Sequence, residues 1–207
     1  GIGGHEVCGV VEEIGEGVTY VKKGDSVVAT LIPAGCGTCY YCSIGLSNQC
    51  TTNYIKLAQP GKYTTRDGKR PLQFAGSVAG FVEYTTVPET NIVKVPRDMR
   101  IDSASLLGCG VISGFGAVVN RAKAMPGKSL IVMGCGGVGL NAIQGAVYSG
   151  CYPIIAVDVL DNKLEQARQF GATHTINVKK VSDPIAVARE YTFGRGADYV
   201  IVAVAGL

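Results

Sequence analysis

One stretch of six residues constrains the fold of this chain more than any other. Gly134-Cys135-Gly136-Gly137-Val138-Gly139 reads G-x-G-x-x-G, set between an apolar run ending at Met133 and a helical pattern starting near Val138. In a chain with 29 glycines the spacing alone says little, and its place between strand and helix carries the reading. The first glycine permits a tight turn, the second lets a pyrophosphate approach the backbone, and the third packs helix on strand. The helix N-terminus then faces the phosphate charge. Nineteen residues after Gly139, Asp158 closes the next predicted strand. A carboxylate there accepts hydrogen bonds from an adenosine ribose and repels a 2′-phosphate, so NAD is expected over NADP.

The flanking pattern supports an open α/β sheet. Apolar runs predict strands over Ser129–Met133, Pro153–Val157, Thr173–Val178 and Asp198–Val204. Helices are predicted over Val138–Ser149, over Asn162–Phe170 before Gly171, and over Pro184–Thr192 with Asp183 as cap. Strand–helix alternation at this spacing implies right-handed crossovers and a parallel sheet. Residues 111–207 are therefore expected to form a doubly wound α/β domain, represented by its first four strands.

The first half has a different rhythm. Strands are predicted over Val7–Ile14, Ser26–Leu31, Phe81–Val87 and Asn91–Val95, separated by turn residues such as Gly15-Glu16-Gly17, Gly24-Asp25 and Pro88-Glu89. Residues 1–110 are expected as a β-rich domain. Within it, a lobe at about 34–70 carries Cys36, Cys39, Cys42 and Cys50 in the spacing C-x2-C-x2-C-x7-C.

Four soft ligands on a short loop suit a tetrahedral zinc, and Gly35, Gly37 and Gly45 give the backbone the freedom to point them at one centre. The run also resembles an iron–sulfur motif, but its fourth cysteine is distant and no proline follows it. Four thiolates leave zinc no open position, so such a site is structural. Tyr40 and Tyr41 inside the loop are placed to cover the metal. Cys8, Cys135 and Cys151 read as small buried hydrophobes or loop thiols, and His174 as structural or exposed. The usage of all eight cysteines fits reduced thiols in a cytoplasmic protein better than a disulfide scaffold.

Two isolated residues complete the inventory of metal ligands. His5 lies in Gly4-His5-Glu6 just ahead of a strand, with an acidic neighbour able to orient its ring or join a metal's shell. Cys109 lies in Leu107-Gly108-Cys109-Gly110, where the pattern changes. Spacing alone does not join them.

Gly4-His5-Glu6, Gly9, Gly15 and Val18 fall at the spacing of the zinc-containing alcohol dehydrogenase signature. The Gly24-Asp25 turn, the four-cysteine lobe and Gly108-Cys109-Gly110-Val111 with Ser113-Gly114 follow in family order. The chain thus resembles that family, the medium-chain dehydrogenases, over essentially its whole length. The resemblance implies a GroES-like catalytic domain followed by a partial Rossmann domain. It also implies that His5 and Cys109 are ligands of a catalytic zinc, with Glu6 the nearby carboxylate. Ser113 stands where the family commonly has Thr, near the nicotinamide, and Lys163 matches a position that reaches the ribose. From sequence alone, Lys163 reads equally as a solvated helix lysine.

The activity implied is hydride transfer between an alcohol or aldehyde and NAD, with zinc polarising the substrate oxygen, in a homodimer or homotetramer. The family's first catalytic-zinc ligand, a cysteine, and its proton-relay hydroxyl and histidine correspond to positions upstream of Gly1. The chain is accordingly expected to be an internal portion of a longer protein. The competing reading is a non-catalytic zinc-binding protein with a partial nucleotide site, and an upstream cysteine with a nearby hydroxyl and histidine would separate the two. A zinc-free reductase of the same superfamily is disfavoured by the cysteine cluster and Cys109.

Composition excludes other classes. With 47% hydrophobic and 17% charged residues the chain is not intrinsically disordered. Its net charge of +3 comes from scattered basic residues without an aromatic ladder, which leaves no footprint for nucleic acid. Mean hydropathy is +0.25, yet glycines and polar residues break every apolar run before membrane-spanning length, so no membrane partner is expected.

Overall fold

A computed structural model describes residues 2–32, 35–52, 66–68 and 78–204. The chain divides into two compact units, Gly1–Cys109 and Gly110–Leu207.

The first unit is built on a three-stranded antiparallel sheet in the order β1-β2-β3, with β1 at Val7–Val10, β2 at Ser26–Ala29 and β3 at Ile92–Lys94. Its register sets Val7 opposite Ala29 and Val28 opposite Val93. Val21, Ala29, Val78 and Ile92 form its buried core, with Val7, Val18 and Val27 packed against them. Gly24, at φ +87°, makes the turn into β2. Beside it Asp25 receives the Lys22 N–H at 3.1 Å and pairs with Lys94 Nζ at 2.9 Å, which ties the turn to β3.

The segment Phe81–Val87, predicted as a strand, joins no ladder. Its first residue and Gly80 meet the chain ahead of β1, through Gly80 N–H to Gly4 O at 2.8 Å and Phe81 N–H to Gly3 O at 3.0 Å. Phe81 and Tyr84 are 83% and 79% exposed. Strand propensity sets an extended backbone, but a strand exists only where a neighbour takes its hydrogen bonds. Of the predicted lobe at 34–70, residues 34, 53–65, 69 and 70 lie outside the described residues.

In the second unit a parallel sheet runs in the order β6-β5-β4-β7. Its strands are β4 at Leu130–Met133, β5 at Ile154–Asp158, β6 at His174–Asn177 and β7 at Tyr199–Val202. All lie within the predicted strands, except that β5 extends one residue further to take in Asp158. Side chains alternate between two faces. Leu130, Val132, Ile154 and Ala156 pack under the helices Gly137–Tyr148 and Asp161–Gln169, whereas Ile131, Met133, Ile155 and Val157 pack against the helix Pro184–Tyr191. Because both faces are covered, β5 reads as a continuous apolar run and Ile154 through Val157 are all buried. Asp183 caps the last helix by accepting N–H bonds from Ile185 and Ala186.

Strand order reverses beside β4, whose neighbours are β5 on one side and β7 on the other. The carboxyl ends of β4 and β7 therefore form the crevice where open α/β sheets bind ligands.

Residues 101–122 carry helix that the sequence pattern did not announce: Ile101–Ala104, a 3₁₀ turn at Ser105–Gly108, Gly110–Gly116, and a π-helical stretch at Ala117–Ala122. With three glycines in GVISGFG, helix propensity there is poor, and packing supplies what propensity lacks. At Gly114 the packing requires glycine, since a Cβ on it would lie 2.0 Å from Val138 O. Among the described residues no single helix is long and apolar enough to cross a membrane.

Candidate active site and metal centres

The glycine turn assigns a separate task to each of its glycines. Gly134 has φ +92°, and a Cβ there would strike Val204 Cγ1 at 2.2 Å and Ala203 O at 2.9 Å, just past the end of β7. Gly139 lies so close to the strand end that its Cβ would fall 1.8 Å from Gly134 O. Around Gly136 and Gly137, in contrast, no atom stands within 4 Å of the Cβ position. The open backbone lies at the start of a twelve-residue helix, Gly137–Tyr148, whose first amide groups have no partner within the helix. This is the room and the polarity that a pyrophosphate requires.

Asp158 ends β5 beside that turn. Its Oδ2 accepts the Cys135 N–H at 2.8 Å, and its Oδ1 accepts the N–H groups of Val159 and Leu160 at 2.7 and 3.0 Å. Lys163, half-buried in the first turn of the following helix, lies near enough to act electrostatically on Cys135. The Cys135 thiol is fully buried and faces Val157 O at 3.8 Å. Burial, with the Asp158 charge adding to it, pushes that thiol up to about 11.

Ser113 is exposed on the helix Gly110–Gly116. Its neighbour Gly114 is pressed against Val138 O, and Gly145 of the facing helix lies against Phe115 and Val118. The close approach of two glycines beds this helix on the glycine turn and sets Ser113 next to it.

Cys36, Cys39, Cys42 and Cys50 converge, with all four Sγ atoms within 4.8 Å of one another. Cys39 opens the helical turn Tyr40–Ser43, which contains Cys42, and Cys50 follows the 3₁₀ turn Ser47–Gln49. Gly35 is required here, since a Cβ on it would lie 2.3 Å from Cys42 Sγ. Cys39 Sγ stands 3.5 Å from Cys42 Sγ and 3.8 Å from Cys50 Sγ. Zinc–sulfur bonds of about 2.3 Å in a tetrahedron place sulfurs about 3.8 Å apart, so the cluster fits that ion. Backbone donors surround it: Cys36 N–H reaches Cys50 Sγ at 3.3 Å and Cys39 N–H reaches Cys36 Sγ at 3.4 Å.

Without a cation the cluster holds its charge unevenly. The Thr38 hydroxyl and neighbouring amides lower the Cys36 thiol to about 5, while burial raises Cys42 to about 11. A divalent ion at the centre favours the thiolate at every position. Tyr40 is 71% exposed and meets Tyr41 edge-on at 5.5 Å, so the pair borders the loop without sealing it.

His5 and Cys109 are each half-buried, and Glu6 is exposed. Gly4, with φ +87°, lies against the backbone of Gly80 and Phe81, which fixes the approach of His5 to β1. The 3₁₀ turn before Cys109 packs on β1 and β2. A Cβ on Gly108 would fall 2.6 Å from Ala29 O, and Ala29 pairs with Val7, two residues beyond His5. The sheet thus leads His5 and Cys109 to one end of the first unit, across 104 residues of sequence. Among the described residues the four cysteines are the only group of three or more potential ligands within 4.8 Å of one another, so His5, Glu6 and Cys109 do not close into such a set. The links through Gly108 and Ala29, and the Thr38 hydroxyl on Cys36, have no sequence signature beyond the glycine and threonine themselves.

Comparison with known proteins places this geometry. Residues 1–97 match the family described as alcohol dehydrogenase GroES-like domain, and residues 137–206 match the family described as zinc-binding dehydrogenase. A curated Mycobacterium tuberculosis protein, carrying the provisional name alcohol dehydrogenase D, is 39% identical over 210 residues, covering 98% of this chain and 55% of that protein. An alcohol dehydrogenase zinc-binding domain protein from Burkholderia ambifaria superposes with a TM-score of 0.84 at 34% identity. Benzyl alcohol dehydrogenase from Acinetobacter calcoaceticus does so with a TM-score of 0.83, also at 34%. In both cases 98% of this chain and 55% of the other is covered, so the chain spans about half the length of the relatives it matches.

Proposed function

This chain belongs to the zinc-containing alcohol dehydrogenase family, and from that premise we propose that the whole protein is an NAD-dependent dehydrogenase moving a hydride between an alcohol or aldehyde and the nicotinamide. The observation that carries the reading is the glycine turn. Its backbone is open at Gly136 and Gly137 at a helix N-terminus, and an anchored carboxylate, Asp158, stands beside it. In this reading the pyrophosphate lies on that turn, and Asp158 with Lys163 takes the adenosine ribose.

When bound, zinc supplies a Lewis acid that lowers the pKa of the alcohol, and NAD supplies the hydride acceptor. His5 offers a neutral ring nitrogen and Cys109 a thiolate as ligands, and Glu6 is the adjoining carboxylate that orients the ring or enters the shell. Ser113 stands on the helix bedded against the glycine turn, at the nicotinamide side. The four-cysteine centre, with every position filled by sulfur, holds structure and leaves no place for substrate.

The test is NADH formation from a panel of alcohols by the whole protein, alongside zinc content and NAD titration. Cys109→Ser is expected to abolish turnover and one zinc while leaving NAD affinity unchanged, and Cys42→Ser to remove the other zinc. Turnover that survives Cys109→Ser overturns the catalytic assignment.

A further inference from the structure

The four sulfurs of the cysteine centre differ in what surrounds them. Cys36 Sγ accepts the Cys39 N–H at 3.4 Å and lies 3.5 Å from the Thr38 hydroxyl, with the Thr52 hydroxyl facing the same atom. Cys39 Sγ instead meets the sulfurs of Cys42 and Cys50. The geometry at Cys36 follows from the loop: Gly37, at φ +79° with open space at its Cβ position, turns the chain so that Thr38 reaches back over the residue two before it. Thr38 is exposed, so no core packing demands this placement, and its hydroxyl lies on the sulfur although solvent is available to it.

A metal-bound thiolate carries no proton. In the loaded centre the hydroxyl is therefore the donor and Cys36 Sγ the acceptor. We propose that Thr38 is a positioning residue for the four-cysteine centre: its hydroxyl donates to Cys36 Sγ, fixes that sulfur toward the metal and sets how fast the centre releases it. The proposal rests on the reading of the four cysteines as a metal centre. A sulfur held by such donors swings away less readily when a competing chelator approaches. The same hydrogen bond lowers the energy of the sulfur lone pairs, which leaves a spectroscopic mark that packing would not. Outer-shell partners of this kind change metal affinity by about 10- to 100-fold when removed.

The experiment loads the whole protein with Co(II) and follows the sulfur-to-cobalt charge-transfer absorption that is lost in a Cys42→Ser variant, which isolates this centre. Thr38→Val, nearly isosteric, is expected to shift that absorption to longer wavelength and to speed its decay on adding EDTA by about tenfold or more. Thr38→Ser, which keeps the hydroxyl, is expected to match the wild type in both. An unshifted absorption in Thr38→Val overturns the proposal, whatever the release rate, and so does a Thr38→Ser variant that behaves like Thr38→Val. Wild-type protein that takes up no Co(II) in a Cys42-dependent way overturns the metal-centre reading itself, and with it the proposal.

Discussion

The carboxylate of Asp158 lies 2.8 Å from the backbone nitrogen of Cys135, joining the end of β5 to the turn that follows β4. One side chain thus ties the glycine turn to β5 and, in the proposed function, takes the adenosine ribose. Three backbone N–H groups already occupy it, counting Val159 and Leu160.

Asp158→Asn is expected to weaken NAD binding by about 10- to 100-fold, since a hydrogen bond to a charged group contributes about 1.5–3 kcal/mol. NADP binding, relieved of charge repulsion, should change much less. Calorimetric titration of the whole protein with both cofactors measures the ratio. An unchanged preference would remove Asp158 from ribose recognition.

Two alanine substitutions three residues apart should separate folding from binding. Gly139→Ala drives a Cβ into Gly134 O and is expected to cost about 3 kcal/mol or more of stability. Gly136→Ala meets no protein atom, so its melting temperature should stay near wild type while NAD affinity falls. Thermal melts read beside cofactor titrations distinguish the two, and equal loss of stability in both would contradict the division of labour.

Outside the four-cysteine centre, Cys135 should be the slowest thiol to alkylate in folded protein. Raised to about 11, it is about one part in a thousand thiolate at pH 8, whereas an ordinary cysteine near 8.5 is about one quarter ionised. Mass spectrometry after timed iodoacetamide treatment, in buffer and in urea, provides the comparison. Early labelling of Cys135 in buffer would mean that the turn opens.

A pH dependence follows from Asp198, which accepts the Ser129 N–H at 2.9 Å and the Ser129 hydroxyl at 2.8 Å. These bonds, with Lys128 adding to them, hold its carboxyl down to about 2. A carboxyl depressed in the folded state stabilises fully above its unfolded value of about 3.9 and loses that contribution as pH falls toward 2. Asp198→Asn should therefore flatten the stability profile between about pH 2 and 4 relative to wild type. Urea unfolding at stepped pH provides the measurement, and parallel profiles would assign the acid sensitivity elsewhere.

Local pattern alone made much of this protein legible. The apolar runs from Leu130 to Val202 announce each strand and helix of the parallel sheet, continuous in β5, which is covered on both faces, and periodic in the helices, which bury one face. The four cysteines were equally readable, since their ligand atoms lie within fifteen residues of one loop and converge through local turns. At 101–122 the pattern was silent, because glycine-rich helix is held there by the Gly114–Val138 approach and not by propensity. Phe81–Val87 had strand composition but lacked a ladder, which no single segment can reveal about itself.

What only the tertiary structure decided lies in contacts between distant residues. The six-residue motif shows four glycines alike, yet packing alone distinguishes Gly134 and Gly139, wedged against backbone, from Gly136 and Gly137, left open. His5 and Cys109 come to the same end of one sheet through Gly108, Ala29 and Val7, a route set by strand register. Periodicity is a property of neighbours along the chain and can be read from it. Register and close backbone approach are set by sheet pairing and by the shape of the surfaces that meet, and these exist only once the chain has folded.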